Sequence, residues 1–177
     1  MSDAEPVTPA LAVPVTTGQI WSWLGEVPDP EIPVISVVDL GIVRDVTWEG
    51  EACVVTITPT YSGCPAMAVI AESIEAALKQ HGIDRFIMKT QLSPAWTTDW
   101  MSEAGKVKLT GYGIAPPAQQ VIDISRLSRR QTDVLTVTCP NCGSNHTHCS
   151  SQFGSTPCKA LYRCDDCLEP FDYFKCH

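Results

Sequence analysis

The feature that most restricts the fold of this chain is a pair of CxxC motifs near its C-terminal end. Cys139-Pro-Asn-Cys142 and Cys164-Asp-Asp-Cys167 are separated by twenty-one residues. This spacing is typical of two hairpin turns that present four thiolates to one tetrahedral metal ion. A metal ion also supplies folding energy that so short a segment lacks in its own core. The motifs therefore predict a zinc ribbon over residues 134–177, with these four cysteines as ligands of a structural zinc ion.

Several other cysteines and histidines lie in the same segment, and their spacing does not show which of them could also be a metal ligand. They are Cys149, Cys158, Cys176, His146, His148 and His177. Exposure to solvent is the commoner role for such histidines, and small buried cysteines are as often packed as coordinated. These residues therefore stay outside the predicted site. Four thiolate ligands leave no open position for a substrate, so the ribbon is expected to support structure or dock a partner.

Charge and the N-terminal sequence narrow the class of protein. Twenty acidic residues against twelve basic ones give a formal net charge of -8, which disfavours nucleic-acid binding. The first residues are acidic and have no basic region before an apolar run, so no secretory signal is expected. The long uncharged windows Pro6–Gly25 and Ala52–Ala71 are interrupted by prolines, so no membrane partner is expected. Nine cysteines without an export signal favour metal binding or redox chemistry in the reducing cytoplasm over a disulfide scaffold.

The chain before the ribbon alternates predicted helices and strands. Residues 1–15 contain prolines and are expected to be a flexible lead-in. Thr16 and Gln19 form a capping-box pattern, which predicts a short helix after Thr16. The segments Ile42–Trp48 and Ala52–Thr58 are rich in β-branched residues and flank a short glycine-containing turn, so they predict an antiparallel hairpin.

The strongest helix prediction lies in the middle of the chain. Apolar residues recur at intervals of three or four residues across Pro65–His81. Pro65 suits the first helical position, and Gly82 suits the position just past the end of the helix. A strand is predicted over Arg85–Leu92, and a further helix from Thr98 to about Lys108.

The predicted architecture is a small α/β (α+β) domain followed by a β zinc ribbon. A length of 177 residues suits one medium and one small domain. Residues 115–133 contain prolines and then a polar run, which interrupt the alternation of helices and strands. This segment is predicted to be a linker. The first domain is therefore assigned to 16–114 and the ribbon to 134–177.

Three residues of the first domain are candidates for chemistry. Cys64 lies directly before the strongest helix, where unpaired amides and the helix dipole stabilise a thiolate. Cysteine is also often just a small buried residue, and this alternative stays open. Asp29 and Glu31 lie among prolines, where they could supply oxygen ligands or bases, although turn and cap roles are commoner there.

Four short motifs of the first domain stand together in a recognisable order. They are Asp29-Pro-Glu-Ile-Pro33, Asp39-Leu-Gly41, Gly63-Cys64-Pro65, and Pro94-Ala-Trp96 with Trp100-Met101. Over 16–114 the sequence resembles the iron–sulfur assembly domain of SufT-type and cytosolic cluster-targeting proteins. With the tail segments Phe153–Cys164 and Glu169–Cys176, the whole chain resembles the PaaD (PaaJ) family of the bacterial phenylacetate pathway.

This resemblance implies an accessory protein of the multicomponent phenylacetyl-CoA epoxidase, one that helps mature or repair its metal centres. It places the family's characteristic cysteine on Cys64 and its acidic turn on Asp29 and Glu31, and it places the ribbon ligands on the four cysteines of the CxxC pairs. The expected cofactors are structural zinc and a transient iron ion or iron–sulfur cluster at Cys64. The expected partners are the oxygenase or its reductase, and a homodimer could complete the ligands of the transient metal.

The main functional hypothesis is that Cys64 takes part in iron or iron–sulfur delivery while the ribbon recognises the recipient. The alternative is a noncatalytic structural or adaptor subunit in which Cys64 is merely packed. Two CxxC pairs at ribbon spacing are better used by a metal than by a thiol oxidoreductase, and the ribbon has no basic face for nucleic acid. The sequence has no Glu-x-x-His pattern for a di-iron bundle and no dinucleotide fingerprint, so the chain is expected to be a helper rather than an enzyme.

Overall fold

The computed structural model describes residues 15–61, 63–117 and 137–175. Within these ranges the helices are α1 (Thr17–Leu24), α2 (Ala66–Gln80) and α3 (Glu103–Gly111), with a short 3-10 helix at Thr98–Trp100. The strands are β1 (Val43–Glu49), β2 (Ala52–Ile57), β3 (Phe86–Thr90), β4 (Ile114–Ala115), β5 (Thr147–Ser151), β6 (Lys159–Cys164) and β7 (Pro170–Phe174). In these ranges, none of the helices has the length and apolar character needed to cross a membrane. Nearly all of the predicted lead-in and most of the predicted linker lie outside the described residues.

The first sheet has the strand order β1-β2-β3 and carries the helices of the first domain. β1 and β2 pair antiparallel as predicted, and their turn contains Gly50 at a φ of 62°. β3 lies parallel to β2, because α2 carries the chain back across the sheet. The apolar face of α2 predicted from its spacing is buried, and α1 contacts both α2 and β1.

The ends of the first two helices follow largely from their sequences. The Thr16 side chain accepts a hydrogen bond from the Gln19 N–H, and the Thr16 N–H donates to Gln19 Oε1 at 2.9 Å, which confirms the capping box. Gly82 adopts a φ of 79° and ends α2 as predicted. Pro65 occupies the N-cap position rather than the first helical one, although its dihedral angles are already helical.

The helix predicted from Thr98 to about Lys108 is present only from Glu103 onward, and its first turn is a separate 3-10 helix. The 3-10 turn ends at Met101, which is extended, and Ser102 then caps α3. Asp39 imposes this break, because its carbonyl accepts the Ser102 N–H at 2.9 Å and its carboxylate accepts the Ser102 hydroxyl at 2.6 Å. Lys108 also contacts the Asp39 carboxylate, at 2.6 Å. A contact across more than sixty positions of the chain thus overrides the local helical pattern.

The motif residues around Gly41 hold this segment against the domain. Gly41 has a φ of 69°, and a Cβ atom there would lie 2.5 Å from the Trp100 carbonyl oxygen. The indole N–H of Trp96 donates to the Leu40 carbonyl at 2.9 Å. These close approaches explain why the motifs combine a glycine with two tryptophans. The glycine and the two tryptophans therefore contribute to packing.

The second sheet has the strand order β4-β7-β6-β5 and forms the ribbon. Its first strand, Ile114–Ala115, pairs parallel with β7, so the residues at the predicted border of the first domain belong to the ribbon sheet. The ribbon has its own core around Tyr162 and Tyr173, yet Cys158 and Phe174 are buried in the core of the first domain. The Phe174 and Trp96 rings lie 6.1 Å apart between centroids. The ribbon therefore packs directly on the first domain.

Candidate metal centres

The four cysteines of the CxxC pairs meet at one end of the ribbon. The Cys139 and Cys167 sulfurs lie 3.8 Å apart, those of Cys142 and Cys164 lie 3.6 Å apart, and all four fall within 4.8 Å of one another. A tetrahedron of 2.3 Å zinc–sulfur bonds would place its sulfurs about 3.8 Å apart. A disulfide would need a sulfur separation of about 2 Å. The cluster therefore has the dimensions of a tetrahedral zinc site, and the two pairs are not independent thiol pairs.

The two turns that carry these cysteines are built alike. In each, the N–H of the first cysteine donates to the carbonyl five residues later, at 2.8 Å in the first turn and 3.0 Å in the second. The residue after each second cysteine is left-handed, with a φ of 76° at Gly143 and 65° at Leu168. Glycine adopts this conformation freely, whereas for leucine it costs about 1–2 kcal/mol. The second turn thus keeps the ribbon geometry in spite of backbone strain.

Backbone amides and crowded thiols act in opposite directions on ionisation in this cluster. Hydrogen bonds from the backbone N–H groups of Cys167 and Asp166 lower the pKa of the Cys164 thiol to about 7. The Ser144 N–H also favours the Cys142 thiolate, yet desolvation and the neighbouring thiols raise the pKa of Cys142 to about 12. Four thiolates this close need a cation to be ionised together, which a divalent metal ion supplies.

The other described polar residues of the ribbon lie outside this cluster. Each described histidine of the ribbon has its Nδ1 beside an aspartate carboxylate, at 3.3 Å for His146 and 2.9 Å for His148. Cys149 is exposed on β5. Cys176 and His177 lie outside the described residues. Among the described groups, the four-cysteine cluster therefore forms without help from the additional residues that the sequence left open.

A second group of chemically active side chains lines a small cavity where the ribbon meets the first domain. The cavity has a volume of about 20 Å³, which is room for about one water molecule or one ion. Asp29, Glu31 and Cys64 line it from the first domain. Cys158 and Phe174 line it from the ribbon. The structure thus brings the three sequence-predicted residues of the first domain together, and it adds a cysteine from the ribbon.

Asp29 and Glu31 have different positions in this cavity. Asp29 is buried, and its Oδ1 accepts the Glu31 N–H at 2.9 Å and the Ile32 N–H at 2.8 Å, so it does cap the proline-rich turn. Desolvation raises the pKa of Asp29. Desolvation, and then the Asp29 charge, raise the pKa of the half-buried Glu31. Lys159 from the ribbon opposes both shifts, so the ribbon contributes a cation as well as a thiol.

Cys64 is half-buried and lies two residues before the start of α2, as the sequence indicated. Its N–H donates to the Tyr61 carbonyl at 3.1 Å. The Tyr61 phenol lies near the Cys64 side chain, and desolvation and then Cys64 raise the pKa of that phenol. The reactive-thiolate role of Cys64 stays a prediction.

Cys158 lies directly before β6 and is only 6 % exposed. Its sulfur lies 3.0 Å from Thr156 Oγ1 and 4.0 Å from Glu31 Oε2, and burial raises the pKa of its thiol. Sequence reasoning left Cys158 undecided and did not consider Thr156 or Lys159 at all. The reason is distance along the chain, because Cys158 and Glu31 are 127 positions apart. The one sequence feature that pointed to Cys158 was the family resemblance of the tail segment Phe153–Cys164, which contains it.

Two family models match the chain, one on each side of this junction. The model for an iron–sulfur cluster assembly protein matches residues 17–83, and the model for the PaaD zinc beta ribbon domain matches residues 125–175. Fold and sites therefore define a protein with an iron–sulfur cluster assembly domain and a zinc ribbon. An Escherichia coli (strain K12) protein, provisionally named as one of the subunits of 1,2-phenylacetyl-CoA epoxidase, is 48% identical over 167 residues, or 94% of this chain and 97% of that protein. The chain belongs to the PaaD family.

Shorter relatives match the first domain. The Fe-S protein maturation auxiliary factor YitW of Bacillus subtilis (strain 168) is 33% identical over 49% of this chain and 85% of its own length. The corresponding factor SufT of Staphylococcus aureus (strain USA300) is 35% identical over 46% of this chain and 93% of its own length. The names of these relatives are those of an epoxidase subunit and of auxiliary factors. They agree with the prediction of an accessory, noncatalytic chain.

Two solved structures also resemble part of this chain. A domain of unknown function DUF59 from Bacillus anthracis is 29% identical, with a TM-score of 0.48, and covers 52% of this chain and 89% of its own. A conserved hypothetical protein from Thermotoga maritima is also 29% identical, with a TM-score of 0.46, and covers 54% of this chain and 94% of its own.

Proposed function

We propose that this chain helps to assemble iron or iron–sulfur centres of the multicomponent phenylacetyl-CoA epoxidase in phenylacetate catabolism, and that it does so in the cytoplasm. The observation that carries this proposal is the cavity shared by Cys64, Asp29 and Glu31. The names of the relatives support the same assignment, since one is an epoxidase subunit and two are auxiliary factors of Fe-S protein maturation. The recipient is the oxygenase component or its reductase.

The donor set of the cavity suits a metal ion that is carried and then passed on. A thiolate favours soft and borderline metals, and carboxylates accept the harder ferrous ion. The cavity has room for about one ion, so iron would enter it as a single ion. Tyr61 contacts the Cys64 thiol at the edge of this group and would orient it. A site with few protein ligands keeps an open position through which a recipient can withdraw the metal.

The proposed zinc site of the ribbon is closed to substrates, so the ribbon contributes to this function in another way. We assign its structural zinc to Cys139, Cys142, Cys164 and Cys167, because their four sulfurs lie within 4.8 Å of one another, close to the separation in a zinc tetrahedron. A zinc ion with four thiolate ligands has no position left for a substrate. The ribbon therefore acts through its surface and its contact with the first domain, and it is the part expected to dock the recipient.

The Cys64→Ser variant tests the proposal directly. Epoxidase components would be produced in cells with the wild-type chain, with Cys64→Ser, or with the matched control Cys149→Ser, which removes an exposed thiol of β5. We expect Cys64→Ser to lower the iron content of the purified oxygenase or reductase several-fold, and the control to leave it unchanged. Zinc content and thermal unfolding would show that both variants fold. Unchanged iron content with folded Cys64→Ser protein would refute the proposal.

The adaptor role is the second candidate, and the subunit name of the E. coli relative favours it. An adaptor would copurify with the epoxidase components at a fixed stoichiometry. It would do so equally well with Cys64→Ser, and the iron content of the complex would then stay normal. The same set of strains therefore separates the two functions by stoichiometry and iron content.

A further inference from the structure

The position of Cys158 is not explained by the ribbon itself. The four-cysteine cluster is complete without it, and its side chain packs in the core of the first domain rather than in the ribbon core. It is 6 % exposed and lies where the chain enters β6. The ribbon therefore presents this thiol to the first domain.

Two polar groups approach the Cys158 sulfur, although most residues that line the cavity are apolar. Its sulfur lies 3.0 Å from the Thr156 hydroxyl and 4.0 Å from Glu31 Oε2. The next residue, Lys159, is also buried, and its Nζ lies 3.3 Å from an oxygen of Asp172. A cysteine packed as a small apolar residue would normally sit among apolar groups. Here a hydroxyl and a carboxylate also approach the thiol.

The same cavity receives Cys64 and Glu31 from two other segments of the chain. Two thiols and one carboxylate thus line a space of about 20 Å³, which accepts about one ion. Among the described residues only the four ribbon cysteines already have their ligand atoms grouped for a metal, so the three side chains at the junction would close on an ion as it binds. Two thiolates and one carboxylate suit a borderline divalent cation such as Fe(II), and three protein ligands leave a fourth position open. Lys159 offsets part of the negative charge that this ligand set brings together.

We propose that Cys158 of the ribbon is a second thiolate ligand, with Cys64 and Glu31, of a single ferrous ion held at the junction of the two domains. This inference rests on the proposed function, because it completes the site assigned there to metal transfer. It also makes the ribbon a part of the carrier site, so that movement of the ribbon away from the first domain would open it. A second copy of the chain is not needed to supply the second thiolate.

Iron K-edge X-ray absorption of the full-length protein tests this arrangement. The protein would be loaded with one equivalent of zinc, which such a cysteine site holds more tightly than Fe(II), and then titrated anaerobically with Fe(II). Because the two metals have separate absorption edges, the iron edge reports the junction alone. We expect one equivalent of iron with two sulfur neighbours in the wild type and one sulfur neighbour in Cys158→Ser or Cys64→Ser. Cys149→Ser is the control and should retain both.

Each outcome separates this inference from the proposed function. Wild-type protein that binds iron with a single sulfur neighbour would overturn the role of Cys158 and leave metal transfer by Cys64 standing. Wild-type protein that binds no iron would overturn both. A Cys158→Ser protein with the wild-type sulfur count would also exclude Cys158 as a ligand. The wild-type measurement decides the question even if the Cys158→Ser chain fails to fold.

Discussion

The two thiol sites of this molecule differ in how the chain assembles them. The zinc site of the ribbon takes all its ligands from two similar turns at one end of one sheet. The junction site takes Glu31, Cys64 and Cys158 from three separated segments in two domains. The first is a closed site that a local repeat specifies, and the second exists only once the ribbon has packed on the first domain. The proposed structural site thus depends on local sequence, and the proposed transfer site depends on how the two domains pack.

Electrostatics separates the two sites in the same way. In the ribbon, backbone N–H groups lower the pKa of Cys164 to about 7, whereas desolvation and the neighbouring thiols raise the pKa of Cys142 to about 12. At the junction, burial raises the pKa values of Asp29, Glu31 and Cys158, and the buried Lys159 opposes these shifts. Desolvated groups with shifted pKa values are typical of functional sites, where a bound cation rather than the fold balances the charge.

The largest effect should come from breaking the ribbon site with Cys142→Ser. Cys142 is exposed, so serine removes one ligand without leaving a cavity. Zinc binding supplies on the order of 10–16 kcal/mol in small zinc modules, and losing it should unfold the ribbon. Hydrogen exchange followed by mass spectrometry should show lost protection in β6 and β7, with protection retained in α2 and β2.

The same variant tests how far the junction depends on the ribbon. Because Cys158 lies directly before β6, Cys142→Ser should also remove the sulfur that Cys158 gives to iron at the junction. Cys149→Ser, which removes an exposed ribbon thiol outside the cluster, should keep zinc, protection and iron. Protection of β6 in zinc-free Cys142→Ser protein would show that the ribbon folds without its metal.

The sequence predicted the features that depend on nearby residues, and it did not predict those that depend on tertiary contacts. The capping box at Thr16, the left-handed Gly82 and the CxxC spacing each act within a few residues or between two repeated turns, so their patterns are visible in the chain. The break before α3 depends on Asp39, and the role of Cys158 depends on how two domains pack. Neither contact leaves a periodic pattern near the residue that it affects.

An intermediate effect should come from Phe174→Ala, which disturbs the junction and not the zinc cluster. Phe174 is 1 % exposed, lines the junction cavity and packs near Trp96. Removing its ring should lower the free energy of unfolding by about 3–5 kcal/mol and enlarge the cavity. We expect weaker Fe(II) binding in an anaerobic titration with one equivalent of zinc still bound.

The matched control for this variant is Phe153→Ala, in the same ribbon. Phe153 is 69 % exposed, so its loss should change stability by no more than about 0.5 kcal/mol and leave iron binding unaltered. Unchanged iron affinity in a destabilised Phe174→Ala protein would mean that the metal does not use the space beside this ring.

The smallest effect should come from the two left-handed residues that follow the CxxC turns. Gly143→Ala places a Cβ where no atom lies within 4 Å, so its cost of about 1–2 kcal/mol is that of the φ angle alone. Leu168→Gly removes the same strain but adds about 0.5–1 kcal/mol of unfolded-chain entropy, so it should stabilise the ribbon by at most about 1.5 kcal/mol. Zinc competition with a chromophoric chelator should therefore show weaker binding in Gly143→Ala and equal or slightly tighter binding in Leu168→Gly. Neither change touches the cavity lining, so the number of sulfur neighbours around iron at the junction should stay the same in both variants. A change in that number would mean that the ribbon turns and the junction are coupled more tightly than their separate cores indicate.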